Sequence, residues 1–279
     1  MMLVHFDDFR LGILAGEHVV DVTGLVGEAG SSPQGRLEAL ISGWPTLAPI
    51  LQAAVERGPG IPLHQVRLRP PVPRPGQLVC AAVNYIEPER PEPAPFNAFL
   101  KAPTSIIGQG ETVELPDAPA TVFHFEPELA LVIGKRASHL APEAALDHVF
   151  GYTPFIDVSA RGLPGGFFLG KSWHTFAPMG PALVTADEIP DPHQLQVQLA
   201  VNGDARHTYS TSDMARRVPQ LLAEVTKVIA LEPGDVVATG THHVGLAPVK
   251  DGDQVRLTIQ GLGPALEISV HDALGRSWD

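Results

Sequence analysis

Cysteine is all but missing from this chain. Its 279 residues include one, Cys80, so no intramolecular disulfide can form and a cysteine-built metal site is excluded. Positive charge is also scarce. Lys and Arg number 19 against 31 Asp and Glu, a formal net charge of -12, and no basic cluster occurs anywhere. That speaks against a nucleic-acid or anionic-membrane partner. Anionic small substrates stay open, because a local site can be cationic on an acidic protein. No apolar run approaches membrane-spanning length, and the opening "MMLVHFDDFRLG" is charged and alternating, with no apolar signal core. The expectation is a soluble, cytoplasmic protein. A glycine-rich phosphate loop, a fixed-period repeat and a low-complexity tract are absent as well. What is present is an ordinary hydrophobic content of 44% and length enough for one large domain, or a small one plus a larger one, with ample core.

Residues 1–27 alternate and are cut by Gly16, which reads as short antiparallel strands. "SPQGRLEALISGWPTLAPILQAAVERG" carries helical spacing at Leu37, Leu40 and Ile41, then at Ile50, Leu51, Ala54 and Val55. It predicts two helices broken near Gly43–Pro45. The four prolines of "VRLRPPVPRPGQ", residues 66–77, cannot sit in a central strand or helix interior. They place a boundary near residue 70, between a small N-terminal α+β domain (1–70) and a larger catalytic one (71–279). "LVCAAVNY" is a buried strand, and "IEPERPEPAPF", residues 86–96, a proline-rich loop. Beyond it most segments read as strands, including "ELALVIG", "VFGYTPFIDVS", "LQVQLAVNG", "QVRLTIQG" and "ALEISV". One helix, "TSDMARRVPQLLAEVTKVIA", interrupts them, with Ser212 as its N-cap. The fold class is α+β, mainly β.

The chemistry concentrates in "FHFEPELALVIGK". Glu126 and Glu128 stand two apart and run into the apolar stretch Leu129–Ile133. A strand's side-chain period is two, so both carboxylates point from one face. Like charges there repel and are costly to bury. Asp157, in "VFGYTPFIDVSAR", ends another apolar segment. Three carboxylates at strand ends, without cysteine, suit a hard divalent cation, which would resolve the repulsion. The alternative is a solvated edge where the acids pair with arginines. Lys171, in "GKSWHTF", is either a surface lysine or a partly buried functional one. Cys80 reads as a core residue. Phe96, Phe99, Phe167, Phe168 and Trp173 either line an apolar pocket or pack the core.

Taken in order, these segments resemble the fumarylacetoacetate hydrolase family from about residue 75 to the end, and more weakly before it. The motifs are "FEPELALVIGKRA", "VFGYTPFIDVSAR", "GKSWHTFAPMGPALVTADEIPDP", "VNGDARHTYSTSDM" and "LEPGDVVATGTHHVG". The resemblance implies a mixed-β fumarylacetoacetate hydrolase-like catalytic domain and a homodimer. It implies that Glu126, Glu128 and Asp157 bind Mg²⁺, or Mn²⁺ or Ca²⁺ in its place. It puts the family's active-site lysine at Lys171 and its G-T turn at Thr241.

Three protein oxygens on an octahedral ion leave about three positions open. A keto acid or enolised diketone can chelate through two, and the ion then acts as a Lewis acid on a metal-bound enolate. Lys171 adds a fixed positive charge. C–C hydrolysis of an acylpyruvate-like compound or diketone is the first expectation. Decarboxylation or keto–enol tautomerisation of a β-keto acid is the alternative, and a non-catalytic binding protein a third. Many family hydrolases carry a lid His and Glu after Asn-Tyr. Here Asn84 and Tyr85 are kept, with Tyr85 a substrate-binding candidate, but Pro88 occupies the histidine position, and Gly162 and Pro164 follow "SAR" where polar residues are usual. His124, His174, His242 and His243 appear where the family usually has none. Of these, His242 is the leading replacement base, because it adjoins Thr241. Thr241 is counted with Lys171 and His242 as catalytic, and with Tyr85 and Arg161 as substrate-binding. Arg161 meets either a substrate carboxylate or a structural partner. The Glu-rich loop at 87–92 reads as a solvated lid.

Overall fold

A computed structural model describes residues 1–27, 32–58 and 60–278. The N-terminal alternation forms β1 (Met2–Phe6), β2 (Arg10–Ala15) and β3 (His18–Asp21), paired antiparallel in order. Two helices follow, α1 (Pro33–Ser42) and α2 (Trp44–Glu56), with Gly43 between them. Ser32 Oγ accepts the Gly35 N–H at 3.0 Å, and Pro33 occupies the first helical position, where no N–H is needed.

The chain then lays down β4 (Leu78–Ala81), β5 (Ala98–Leu100), β6 (Thr112–Glu114), β7 (Val122–Ile133) and β8 (Val149–Arg161). β7 and β8 form a long antiparallel ladder, from Val122 opposite Arg161 to Ile133 opposite Val149. A short helix α3 (Gly166–Lys171) leads to β9 (Leu183–Thr185), β10 (Gln196–Val201) and β11 (Asp204–Ser210). The remaining elements are α4 (Val218–Val228), β12 (Val236–Ala238), β13 (Gln254–Ile259) and β14 (Leu266–His271).

Among the described residues, the main sheet has eleven strands, ordered Ile61–Pro62, β3, β2, β1, β9, β8, β7, β12, β4, β5, with Leu68–Arg69 on β1. β1 pairs with β9, so residues 1–27 extend the sheet that holds β7 and β8. A second sheet of five strands runs β11, β10, β13, β14, β6. The fold is thus α+β and mainly β, as the sequence predicts.

β7 is buried on both faces. Phe123, Phe125, Leu129 and Leu131 pack with Val197, Leu199 and Leu257 of the second sheet. Ala130 and Val132, on the other face, pack with Leu37, Leu40 and Cys80. A strand covered on both sides reads as a continuous apolar run, which explains Leu129–Ile133.

One expectation is corrected. The helix expected from Thr211, with Ser212 as its N-cap, begins only at Val218. Residues Thr211–Asp213 form a single 3₁₀ turn. The N–H groups of Ala215 and Arg216 donate to Asn84 O and Oδ1 at 2.8 and 3.0 Å. The Val218 N–H donates to His193 Nε2 at 3.1 Å. These tertiary partners hold 214–217 out of the helix, so Ser212 caps no part of α4. No helix among the described residues is long and apolar enough to cross a membrane.

Candidate metal centre and active site

The β7–β8 ladder sets Glu126 directly opposite Asp157, and Glu128 opposite Phe155. Alternation puts Glu126 and Glu128 on one face of β7, and register brings Asp157 beside them. One carboxylate oxygen from each lies within 4.8 Å of the others. All three residues are buried, at 4%, 1% and 1% exposure. The solvated-edge alternative is therefore excluded for this trio.

Lys171 closes α3 and is buried with them. Its Nζ donates to Glu126 Oε2 at 2.9 Å and Asp157 Oδ2 at 2.5 Å. Burial would lower its pKa, but the charges of Asp157 and Glu126 outweigh this and push it up. Arg161 also pairs with Glu126, and Ser159 Oγ donates to Glu126 Oε1 at 2.8 Å. Burial alone would raise the Glu126 pKa. Lys171, Arg161 and the Ser159 hydrogen bond instead hold it down at about 2.

Lys101 is a residue that the sequence reading passes over. It follows β5, is 1% exposed, and its Nζ pairs with Asp157 Oδ1 and donates to Val158 O at 3.0 Å. Burial holds its ammonium below the usual lysine range, against the pull of Asp157. Nothing local marks it. "AFLKAP" reads as a short strand with a terminal lysine, and the partner lies 56 residues away.

Glu128 differs from its neighbours. Its Oε2 accepts the Gly240 N–H at 2.7 Å. Among the described residues no cationic side chain forms a salt bridge with it. Burial, and then the charges of Asp157 and Glu126, push its pKa well above the usual carboxylate range. Gly240 makes its contact with φ +84°, a conformation that favours glycine, and a Cβ there would meet Ala81 O at 3.2 Å. A buried carboxylate without a counter-charge is costly. With two further carboxylates alongside, the donor set is all oxygen and anionic, which fits a hard dication such as Mg²⁺ or Mn²⁺.

Thr241 follows Gly240 and is buried. Tyr85 is buried, its hydroxyl has no partner among the described residues, and its ring meets Tyr209 edge-on at 4.9 Å. Asn84 anchors the turn before it, with Nδ2 donating to Arg216 O and Thr239 O at 3.1 and 2.9 Å. His242 is half-buried, its Nδ1 accepts the Val244 N–H at 3.2 Å, and its ring lies 6.2 Å from Tyr209. His124 shares the Glu126 face of β7, and burial and then Arg161 lower its pKa. His174 is exposed. The loop at 87–92 is solvated only in part. Residues 88–92 are exposed, but Glu87 is buried and bonded to His243. Phe99 stacks on Phe167 at 4.3 Å and lies under the Lys171 ammonium, whereas Phe168 is 73% exposed. A cleft of about 240 Å³, lined by Arg161, Gly162, Leu163, Phe167 and Lys171, opens beside the lysine. Cys80 is fully buried.

Acids gathered on a buried ladder, two buried lysines and an all-oxygen donor set define a site for a divalent cation, and likeness to enzymes of keto acids makes the chain a divalent-metal-dependent enzyme for keto-acid or 1,3-dicarbonyl chemistry. The chain belongs to the fumarylacetoacetate hydrolase family: the model of the fumarylacetoacetate (FAA) hydrolase C-terminal domain matches residues 77–268. The chain is 34% identical over 281 residues to the maleylpyruvate hydrolase of Aquipseudomonas alcaligenes, covering 94% of this chain and 97% of that one. It is 37% identical over 222 residues to the oxaloacetate tautomerase YisK of Bacillus subtilis, covering 72% of each. Its fold is similar to the crystal structure of maleylpyruvate hydrolase from Sphingobium sp. SYK-6 in complex with manganese(II) ion and pyruvate. The TM-score is 0.88 and the identity 36%, over 98% of this chain and 99% of that one.

Proposed function

We propose that this enzyme hydrolyses a C–C bond in an acylpyruvate-like 1,3-dicarbonyl compound of the maleylpyruvate class, within residues 71–279. The observation that carries the reading is the buried cluster of Glu126, Glu128 and Asp157, with Glu128 uncompensated. Mg²⁺ or Mn²⁺ held by these three acids would supply Lewis-acid stabilisation of charge that develops on the substrate's keto oxygen.

The protein's own residues do the rest. Three carboxylates face three cationic groups, Lys171, Lys101 and Arg161. With all three acids ionised, as ion binding requires, these charges cancel, and a dication leaves a surplus of two positive charges. A keto acid that becomes an enolate is a dianion and matches that surplus. Lys171 holds a fixed positive charge where the carboxylate or oxyanion forms. Lys101 fixes the other oxygen of Asp157. Arg161, beside the cleft, and Thr241 and Tyr85, on the Gly240 side, bind the substrate. The unpartnered Tyr85 hydroxyl is available to donate to a substrate oxygen. The buried position of the cluster keeps bulk water away, which strengthens each of these interactions.

Tautomerisation of a β-keto acid is the second reading, and the likeness to an oxaloacetate tautomerase favours it. The test follows enol absorbance in the ultraviolet with and without Mg²⁺ or Mn²⁺, across acylpyruvates, oxaloacetate and cyclic diketones. Product analysis then separates the readings. The hydrolytic reading requires metal-dependent cleavage of an acylpyruvate into two acids, and turnover of oxaloacetate alone rejects it. We place the enzyme in the cytoplasm as a homodimer. Light scattering that shows only a 29.7 kDa species at micromolar concentration would contradict the dimer.

A further inference from the structure

The loop after Tyr85 is built to hold one carboxylate. The Glu87 N–H donates to Arg90 O at 3.2 Å, and the Arg90 N–H returns to Glu87 O at 2.8 Å, closing a turn around Pro88. The Ile86 N–H is tied to Asp213 O at 2.9 Å. Glu87 is thereby turned inward, while 88–92 stay exposed. Its Oε1 accepts two bonds from one residue, the His243 N–H at 2.7 Å and the His243 ring Nδ1 at 2.8 Å. Burial would raise the Glu87 pKa, but the His243 hydrogen bonds pull it below its ordinary value, so Glu87 is an acceptor-only carboxylate at neutral pH. Nδ1 of His243 must then carry a proton, and in the neutral tautomer so fixed it is Nε2 that holds the lone pair.

The chain ties this pair to the acids. His243 comes three residues after Gly240, whose N–H holds Glu128. The chain runs on from Gly240 to Pro248, which bridges His124 on the Glu126 face of β7, so His243 lies on the segment that joins the Glu128 contact to that face. The His243 side chain is 33% exposed, within reach of water. His242, by contrast, has its Nδ1 engaged by the Val244 N–H, and no carboxylate orients it among the described residues.

We propose that His243 is the general base that activates the attacking water, and that Glu87 is the positioning residue that fixes its tautomer. The proposal rests on the hydrolytic reading above. In the step, the water oxygen bonds to the distal carbonyl carbon while one water proton passes to His243 Nε2. The C–C bond then breaks, and its electron pair stays on the pyruvate-side carbon as the enolate. His243 gives its proton up to solvent, and the enolate carbon takes one from solvent, so the ring never acts on carbon. One water is consumed, two acids form, and no oxidant or reductant is needed. A base oriented by a third group is the arrangement that activated nucleophiles require.

The test uses the full-length Mn²⁺-loaded enzyme and an acylpyruvate such as acetylpyruvate, in H₂¹⁸O. Wild type is expected to place ¹⁸O in the released acid. His243→Ala is expected to lose about a hundredfold or more in kcat, the lower range for a general base. Its KM and Mn²⁺ affinity should stay near wild type, and added imidazole should restore part of the rate. Glu87→Gln is expected to lower kcat with little change in KM. Deuterium exchange into pyruvate, which needs no attacking water, should persist in His243→Ala. Full hydrolysis by His243→Ala, with ¹⁸O still entering the product, overturns the dyad alone. Exchange lost together with hydrolysis, at intact Mn²⁺ affinity, also overturns it, because the ring would then act on carbon. A larger, imidazole-rescued loss in His242→Ala reassigns the base and overturns it too. If wild type incorporates no ¹⁸O, the hydrolytic reading fails and takes the dyad with it.

Discussion

Glu126 and Asp157 stand directly across the β7–β8 ladder, and the single ammonium of Lys171 donates to both, at 2.9 and 2.5 Å. The lysine thus compensates two acids at once. Lys171→Met keeps an apolar stem of similar shape and removes the charge. The expected result is a loss of about a hundredfold or more in kcat/KM, the scale of removing an oxyanion donor. Steady-state kinetics on the metal-loaded enzyme checks it, and a near-wild-type variant would make the lysine purely structural.

Glu128 should show opposite signs in two measurements. Its carboxylate is buried without a cationic partner, so Glu128→Gln removes a desolvated acid from the metal-free protein. The melting temperature in excess chelator is expected to stay level or rise. Mn²⁺ affinity, read by titration calorimetry, is expected to fall by about tenfold or more, since outer-shell changes alone cost that much. A variant with lowered stability and unchanged affinity would refute the assignment.

Lys101 holds the second oxygen of Asp157 from a buried position. Lys101→Met should lower Mn²⁺ affinity or kcat/KM by about tenfold or more, the usual effect of losing such a support. The two quantities are measured separately, and no change in either would leave the lysine without a role in the site.

Stability against acid should depend on His5, far from the chemistry. Its ring is buried, Nδ1 lies 3.1 Å from Pro71 O, and burial drives its pKa down to about 4. The unfolded chain takes up the proton below about pH 6.5, the folded chain only below about 4. The neutral ring's contribution is therefore full above pH 6.5 and is lost as pH falls from there towards 4, to a total of about 3 kcal/mol. Denaturant unfolding at pH 7 and pH 4.5 tests this. His5→Gln should show a shallower loss than wild type over that window.

Much of this site is legible in the sequence. The spacing of Glu126 and Glu128 put them on one face, and the strand that carries Asp157 pairs with theirs in register, although all three acids lie within the strands and not at the strand ends the sequence suggests. The two N-terminal helices break at Gly43, where the pattern predicts. What stayed hidden depends on contacts far apart in the chain. Lys101 and Asp157 are 56 residues apart, and Glu87 and His243 are 156 apart. No local pattern links either pair. α3 was hidden for another reason. It is six residues long and opens on Gly165 and Gly166, both at positive φ, so its propensity argues against a helix. β11, "DARHTYS", carries little strand signal because its exposed half is polar and charged.

The long ladder between β7 and β8 divides the site into parts with different freedom to change. The three acids belong to strands locked to one another over most of their length and buried on both faces. Glu87, His242 and His243 belong to connecting segments outside named strands and helices. Insertion, exchange or loss in those segments leaves the register of the acids untouched. A lineage, or an engineer, can therefore exchange these connecting residues while the geometry of the three acids is inherited unaltered.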